Sequence, residues 1–387
     1  MLVAWLAPHV RAQDVPAAAV NMVTVVAPGA RCMAVSDAHG MLIVGRLAGA
    51  SEQLSVHRLD DRGRIAQGQP QMLTLPAHAA LADIVQYPLD IAFHPTLPVV
   101  YVWRDITDPE ADDKRKAVYE HFEHLLVYGI ENGALKLLGA FGKGADFAFG
   151  QPRASIAVSG HGGRIFLTNL RDPANGHAGI GYFDLEDDGM PKAVPVQLEG
   201  TLDGRGLEQF DMQHRPARVT VQHLIALPTG NGLFAPTDGA VAFGGQSGPM
   251  VWDADNRRAS FGVFFIHGMP AYCQIGAHPD VPYIFGAARA TNRIFATAHA
   301  DGYPSMLPHT RAVGSANFRS SPVVMVGGDG PTRIAIGGVH RAYVVAIDTD
   351  GRFLDHMEEI TLINASVEAI TYSTKHDRLY VPVEREG

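Results

Sequence analysis

Arg153, His223 and Glu368 are the residues of this 387-residue chain whose types could together act on an anionic substrate. A guanidinium holds a carboxylate or phosphate through two parallel N–H bonds. An imidazole passes a proton near neutral pH, and a carboxylate orients that imidazole. Asp90 is a second carboxylate suited to the orienting role. Arg31, Asp90, Arg104 and Gln274 extend the set with groups suited to ligand binding. No ligand set with metal-site spacing accompanies them, and no cofactor-docking motif is recognisable, so metal and cofactor are both read as none. Quinoprotein chemistry has no motif to support it.

All of these except Arg104 fall one to three residues before a repeated hairpin, which is the element that must position them. The pattern is plainest from Leu89 to Trp103, LDIAFHPTLPVVYVW. Ile91, Ala92 and Phe93 make a short apolar run, His94 to Pro98 a turn, and Val99 to Trp103 a β-branched and aromatic run that fits a buried pleated sheet. Similar segments start at Met33, Ile156, Ile225, Ile275, Val324 and Ile370, at separations of 46 to 69 residues. Each turn is built on His-Gly, His-Pro, Asn-Gly, Asp-Gly or His-Asp. A hairpin recurring at this period predicts an all-β, seven-bladed β-propeller with blades of about four antiparallel strands. The run Val20 to Ala27 reads as a strand without a hairpin partner, and closure is expected through its joining the last blade as the outermost strand.

Composition agrees. The chain is 47% apolar and 18% charged, with 41 Gly and 25 Pro, and so many turn formers suit short strands better than helices. Residues 20–387 read as one domain. A net charge of −9 without a basic cluster excludes nucleic acid as partner. Met1 to Ala12 (MLVAWLAPHVRA) resembles the apolar and cleavage regions of a signal peptide, though without a basic start, so a periplasmic or extracellular location is expected. No segment is long and apolar enough for a membrane span. A monomer is expected. Cys32 and Cys273 fall in inner strands of different blades, too far apart for a disulfide, and read as small buried hydrophobes.

Three elaborations interrupt the repeat. Arg104 to His124 precedes the third strand of the second blade, with Asp108-Pro109-Glu110 as a helix start. His121, Glu123 and His124 are of metal-ligating type, but no matching partner is evident elsewhere, and the run reads as a solvated flap. Glu199 to Val221 and Ala298 to Pro322 are long connections. All three are expected on one face, together with the polar residues that precede each hairpin. His39, His94, His161, His278 and His376 lie on the opposite face, where they read as turn chemistry and not as a metal ring.

IAFHPTLPVVYVW, IAVSGHGGRIFLTN and ITYSTKHDRLYV resemble the repeats of the YVTN and lactonase-type seven-bladed propellers, from about Met33 onward. In the lactonase branch, similar to 6-phosphogluconolactonases and muconate cyclases, a Gly-Pro-Arg-His run precedes an inner strand and an Asn-Glu pair follows the next. Here the nearest match is Gly150 to Ser155 and Thr168-Asn169-Leu170. Arg153 carries over, while Ala154 stands at the His position and Leu170 at the Glu position. The resemblance therefore implies the fold and an anion-holding arginine, without the proton-transfer groups. Two readings follow: an exported propeller that binds a small anionic molecule or a protein partner without chemistry, or a lactonase-like hydrolase or isomerase acting on an anionic cyclic ester.

Overall fold

The structure is a computed structural model. The description covers 21–26, 30–46, 53–106, 111–145, 147, 155–171, 178–192, 195–197, 219–221, 225–226, 232–239, 249–253, 258–260, 273–278, 280–281, 283–288, 292–300, 303–304, 309–313, 318, 320, 323–326, 331–348, 350–366 and 369–383. These residues are mostly β, and their strands form seven separate sheets. Six follow the chain in order, starting with Ala30–Ser36, Gln86–Phe93, Ile156–Val158, Val219–Val221, Cys273–Ala277 and Val323–Met325, and are called here the first to sixth sheets. A terminal sheet combines Thr371–Ser373, Arg378–Val383 and the early strand Asn21–Val26. The early strand lies at the outer edge, as expected, and pairs parallel with Arg378–Val383.

In five of the inner hairpins the turn is held by the residue three positions after the hairpin's start. Ser36 and Ser373 accept the N–H of His39 and His376, and Ser159 accepts that of Arg164. At the same position in the second and fifth sheets stand His94 and His278, whose Nδ1 atoms each accept two turn N–H groups at 3.0 to 3.2 Å. Their rings thus serve the turn. An acceptor Nδ1 leaves the His94 proton on Nε2, which donates to Gly162 O in the next sheet's turn at 3.0 Å. Gly162 has φ +72, and a Cβ there would lie 2.5 Å from the His94 ring. Gly162→Ala should therefore cost about 2 kcal/mol, read as a lower urea midpoint.

A second latch joins neighbouring sheets through tyrosines on the second strand. Tyr101 and Tyr380 donate to Gly189 O and Gly63 O, each at 2.7 Å, and Tyr283 to Asp350 O at 2.6 Å. The acceptors lie in outer turns whose glycines, Gly63, Gly189 and Gly351, have positive φ. Tyr101→Phe leaves Gly189 O without this donor and should lower stability by about 1 kcal/mol in denaturant titration.

Packing runs from sheet to sheet. The first strands of consecutive sheets touch, the fourth sheet doing so through Ile225–Ala226, which pairs with Gly232–Gly239, and Thr371–Ser373 touches both Val323–Met325 and Ala30–Ser36. Asp37 accepts from Ser373 Oγ and from Lys375 N, and Ala30, Met33, Leu42 and Val44 share a core with Ala369 and Tyr380. The core lies between sheets: Val99, Tyr101, Trp103 and Val127 of the second sheet face Ile165, Leu167 and Phe183 of the third.

Three expectations need correction. The connection Ala298 to Pro322 contains strand: His309–Ala312 pairs with Arg293–Ala300 of the fifth sheet. An outer strand is held by backbone bonds and shows little apolar alternation, so it read as loop. Within Glu199 to Val221, Val219–Val221 is already strand, paired with 237–239, and 199–218 lie outside the described residues. The insert holds a helix, Asp112–His121, that starts after Pro109 and not at it, with Asp112 and Asp113 in its first turn.

Candidate ligand-binding mouth

Arg31 and Asp90 lie on the first strands of adjacent, touching sheets. The ladder between Ala30–Ser36 and Met41–Arg46 shifts register between Ala30 and Cys32, so Arg31 is the bulged residue. A bulge re-aims its side chain and recurs at barrel rims and binding sites. The Arg31 guanidinium lies over the Tyr87 ring, 4.8 Å from its centroid, and Tyr87 donates to Ile106 O at 3.5 Å. Desolvation pushes the Tyr87 phenol above its usual range, with the Asp105 charge adding to it and Arg31 opposing.

Asp90 bonds across a sheet boundary. Its Oδ1 accepts the N–H of Ile91 and its Oδ2 that of Ile156, the first residue of the third sheet, both at 2.9 Å. Part of the residue reaches solvent, but the carboxyl itself is enclosed. Desolvation outweighs the two N–H bonds and pushes Asp90 up to about 7. Between Arg31 and Asp90 lies Cys32, a free, buried thiol held far above its ordinary range by burial and by the Asp90 charge. Such a thiol is unreactive at neutral pH.

Arg104 occupies a different environment. It is 2% exposed, at the end of the strand Val99–Ile106. Its Nε donates to Glu123 O at 2.7 Å and its Nη1 to Gln86 Oε1 at 2.6 Å and to Pro76 O. Its Nη2 is 3.5 Å from Glu123 Oε2, and the guanidinium lies 4.6 Å from the Phe122 ring centroid. Desolvation lowers it to about 10, leaving it charged at neutral pH. Its donors thus face protein acceptors from three directions.

The insert separates the side chains of metal-ligating type. His124 is boxed by Trp103, Phe122 and Phe147 at centroid distances of 4.4 to 5.4 Å, and burial lowers it to about 3. Glu123 pairs with Arg104, and His121 stacks on His78. Among the described residues, no group of three or more His, Cys, Asp or Glu is arranged to hold a metal ion. The helix packs against the 76–85 connection, through Leu81 and Ile84 on Val118, Phe122 and Ala117.

Arg153, His223 and Glu368 lie outside the described residues, as does the signal-like segment 1–12. Gln274 is placed by its backbone alone, opposite Ala287 in the fifth sheet. Arg31 and Asp90 thus lie on neighbouring first strands, and Arg104 is set apart. Tyr87 and Gln86 were missed, and the available signal was a polar and an aromatic residue just ahead of Asp90 in a first strand.

Sheets of short antiparallel strands, joined through their first strands, define a β-propeller fold, and the comparisons agree. No family model and no curated protein sequence matches the chain. The periplasmic gluconolactonase of Pseudomonas aeruginosa is similar in structure, at 17% identity and a TM-score of 0.55 over 86% of this chain and 85% of that one. A 6-phosphogluconolactonase-like protein of Bacteroides fragilis matches at 14% identity and 0.54 over 90% and 89%. The Cps50 (Swd1) β-propeller domain of Myceliophteria thermophila matches at 10% identity and 0.52 over 90% of each chain. At these identities the likeness is one of fold. No helix among the described residues is long and apolar enough to cross a membrane.

Proposed function

We propose that the chain is a closed seven-bladed propeller that binds a small anionic ligand, or an acidic group of a protein partner, at the mouth of its central channel. The observation that carries this is Arg31, placed on a bulge at the start of an innermost strand, with its guanidinium on Tyr87. A bulge presents the guanidinium, and an aromatic face holds it, as recognition of a planar anion requires. Seven sheets, and contacts that run on from the sixth sheet through the terminal sheet to the first, support the closed ring. Arg153, His223, Gln274 and Glu368 stand one to three residues before the hairpin starts of their own repeats and complete the mouth in this reading. Export to the periplasm or beyond, and a monomeric state, belong to the same proposal.

Calorimetry with gluconate and 6-phosphogluconate tests it. Arg31→Ala and Arg153→Ala should each weaken binding at least about tenfold, the usual worth of a charge-assisted bond. No binding to the wild type, or binding as tight as the wild type's in either variant, overturns it.

A second reading, hydrolysis of an anionic cyclic ester, is favoured by the gluconolactonase among the structural neighbours and by a mouth carboxyl that titrates near neutral pH. Arg153 would clamp the substrate, His223 would act as acid and base, and Glu368 or Asp90 would orient it. Lactone turnover no faster than background in the wild type and in Arg153→Ala leaves binding alone.

A further inference from the structure

We propose that His78 and His121 form an acid-sensitive latch, which holds the helix Asp112–His121 on the 76–85 connection at neutral pH and releases it when both rings are charged. The two rings stack face to face, with centroids 4.4 Å and planes 8° apart. His121 ends the helix. His78 caps the short helical turn Ala79–Leu81, its Nδ1 accepting the Ala80 N–H at 3.1 Å. That bond needs a lone pair on Nδ1, so the neutral ring carries its proton on Nε2. A proton added at Nδ1 turns the acceptor into a donor and removes the cap. Protons on both rings set two like charges face to face.

The charged groups around the pair come from each element packed there. On the helix, Glu120 Oε2 lies 4.0 Å from His121 Nε2, and Lys116 lies 3.9 Å from Glu120 Oε1. Asp112, Asp113 and Arg115 stand nearer the helix start, and Lys114 pairs with Asp83 of the connection. From the strand beneath come Arg104, paired with Glu123, and Asp105. Glu120 can offset one added charge but not two. The helix is also held by the small apolar cluster of Leu81, Ile106, Val118 and Phe122, by the Lys114–Asp83 pair and by the Gly144 N–H, which donates to Tyr119 O at 3.1 Å. Added protons act on the cap and on the stack together, since they remove the Nδ1 acceptor and charge both rings.

Hydrogen exchange followed by mass spectrometry, at about pH 7.5 and about pH 5 with labelling times scaled for the intrinsic rate, tests this. Exchange in helix peptides should rise at least about tenfold at the lower pH, relative to the strand Val99–Ile106. The double variant His78→Phe/His121→Phe keeps stacked rings that cannot titrate, and should show no such rise. Equal protection of the wild type at both pH values, or the same rise in the double variant, overturns the latch. Should the double variant not fold, His121→Phe alone must shrink the rise, and a full rise there also overturns it.

Discussion

Arg104→Ala is expected to lower stability by about 3 kcal/mol, because it removes a buried cation from the partly exposed Glu123 and takes a donor from Glu123 O, Pro76 O and Gln86 Oε1 together. The guanidinium joins Glu123, after the insert helix, to Pro76 of the preceding connection and to Gln86 of an inner strand. Its loss therefore loosens three segments together. Urea unfolding monitored by far-UV circular dichroism measures the change. Arg104→Lys should recover less than half of it, since an ammonium on a flexible stem cannot meet acceptors in a fixed fork. A ligand-binding role for Arg104 makes the opposite demand: weaker anion binding with the urea midpoint unchanged.

The second large effect is a pH dependence centred on Asp90. Its carboxyl titrates at about 7 in the folded chain, against about 3.9 for an unfolded aspartate. Between those values the folded state holds a proton that the unfolded state has released. Stability must then fall as pH rises through this window, by up to about 1.4 kcal/mol per pH unit, and level off above it. Over the whole window the loss reaches up to about 4 kcal/mol. Asp90→Asn should remove this part of the slope, because the amide does not titrate. Urea midpoints for both proteins from about pH 4.5 to about pH 8 check it; parallel curves over that range would mean that Asp90 stays ionised throughout.

Asp90 and Arg104 also mark the limit of what could be read from the chain. Both were identified as groups suited to ligand binding, Asp90 from its place just before a hairpin and Arg104 at the head of the second blade's insert. Their uses depend on partners far away in sequence: Asp90 takes the N–H of Ile156, and Arg104 takes the carbonyls of Pro76 and Glu123. Tyr101, Tyr283 and Tyr380 read only as apolar filling of a second strand, although their hydroxyls reach the outer turns of neighbouring sheets. His94 and His278, three positions after their hairpin starts, were visible as turn chemistry, because the N–H groups their Nδ1 atoms accept lie within three residues.

By itself the amino-acid sequence determined the local hairpins and their recurrence. Side-chain alternation and turn preference act over a few residues and need no knowledge of the rest of the chain. Tertiary structure alone decided the outer pairing of His309–Ala312 in the fifth sheet and the parallel direction in which Asn21–Val26 joins Arg378–Val383. It also decided which charges are spent between sheets. Backbone hydrogen bonds carry no side-chain signature, and the desolvation that shifts Asp90 exists only once the sheets have come together.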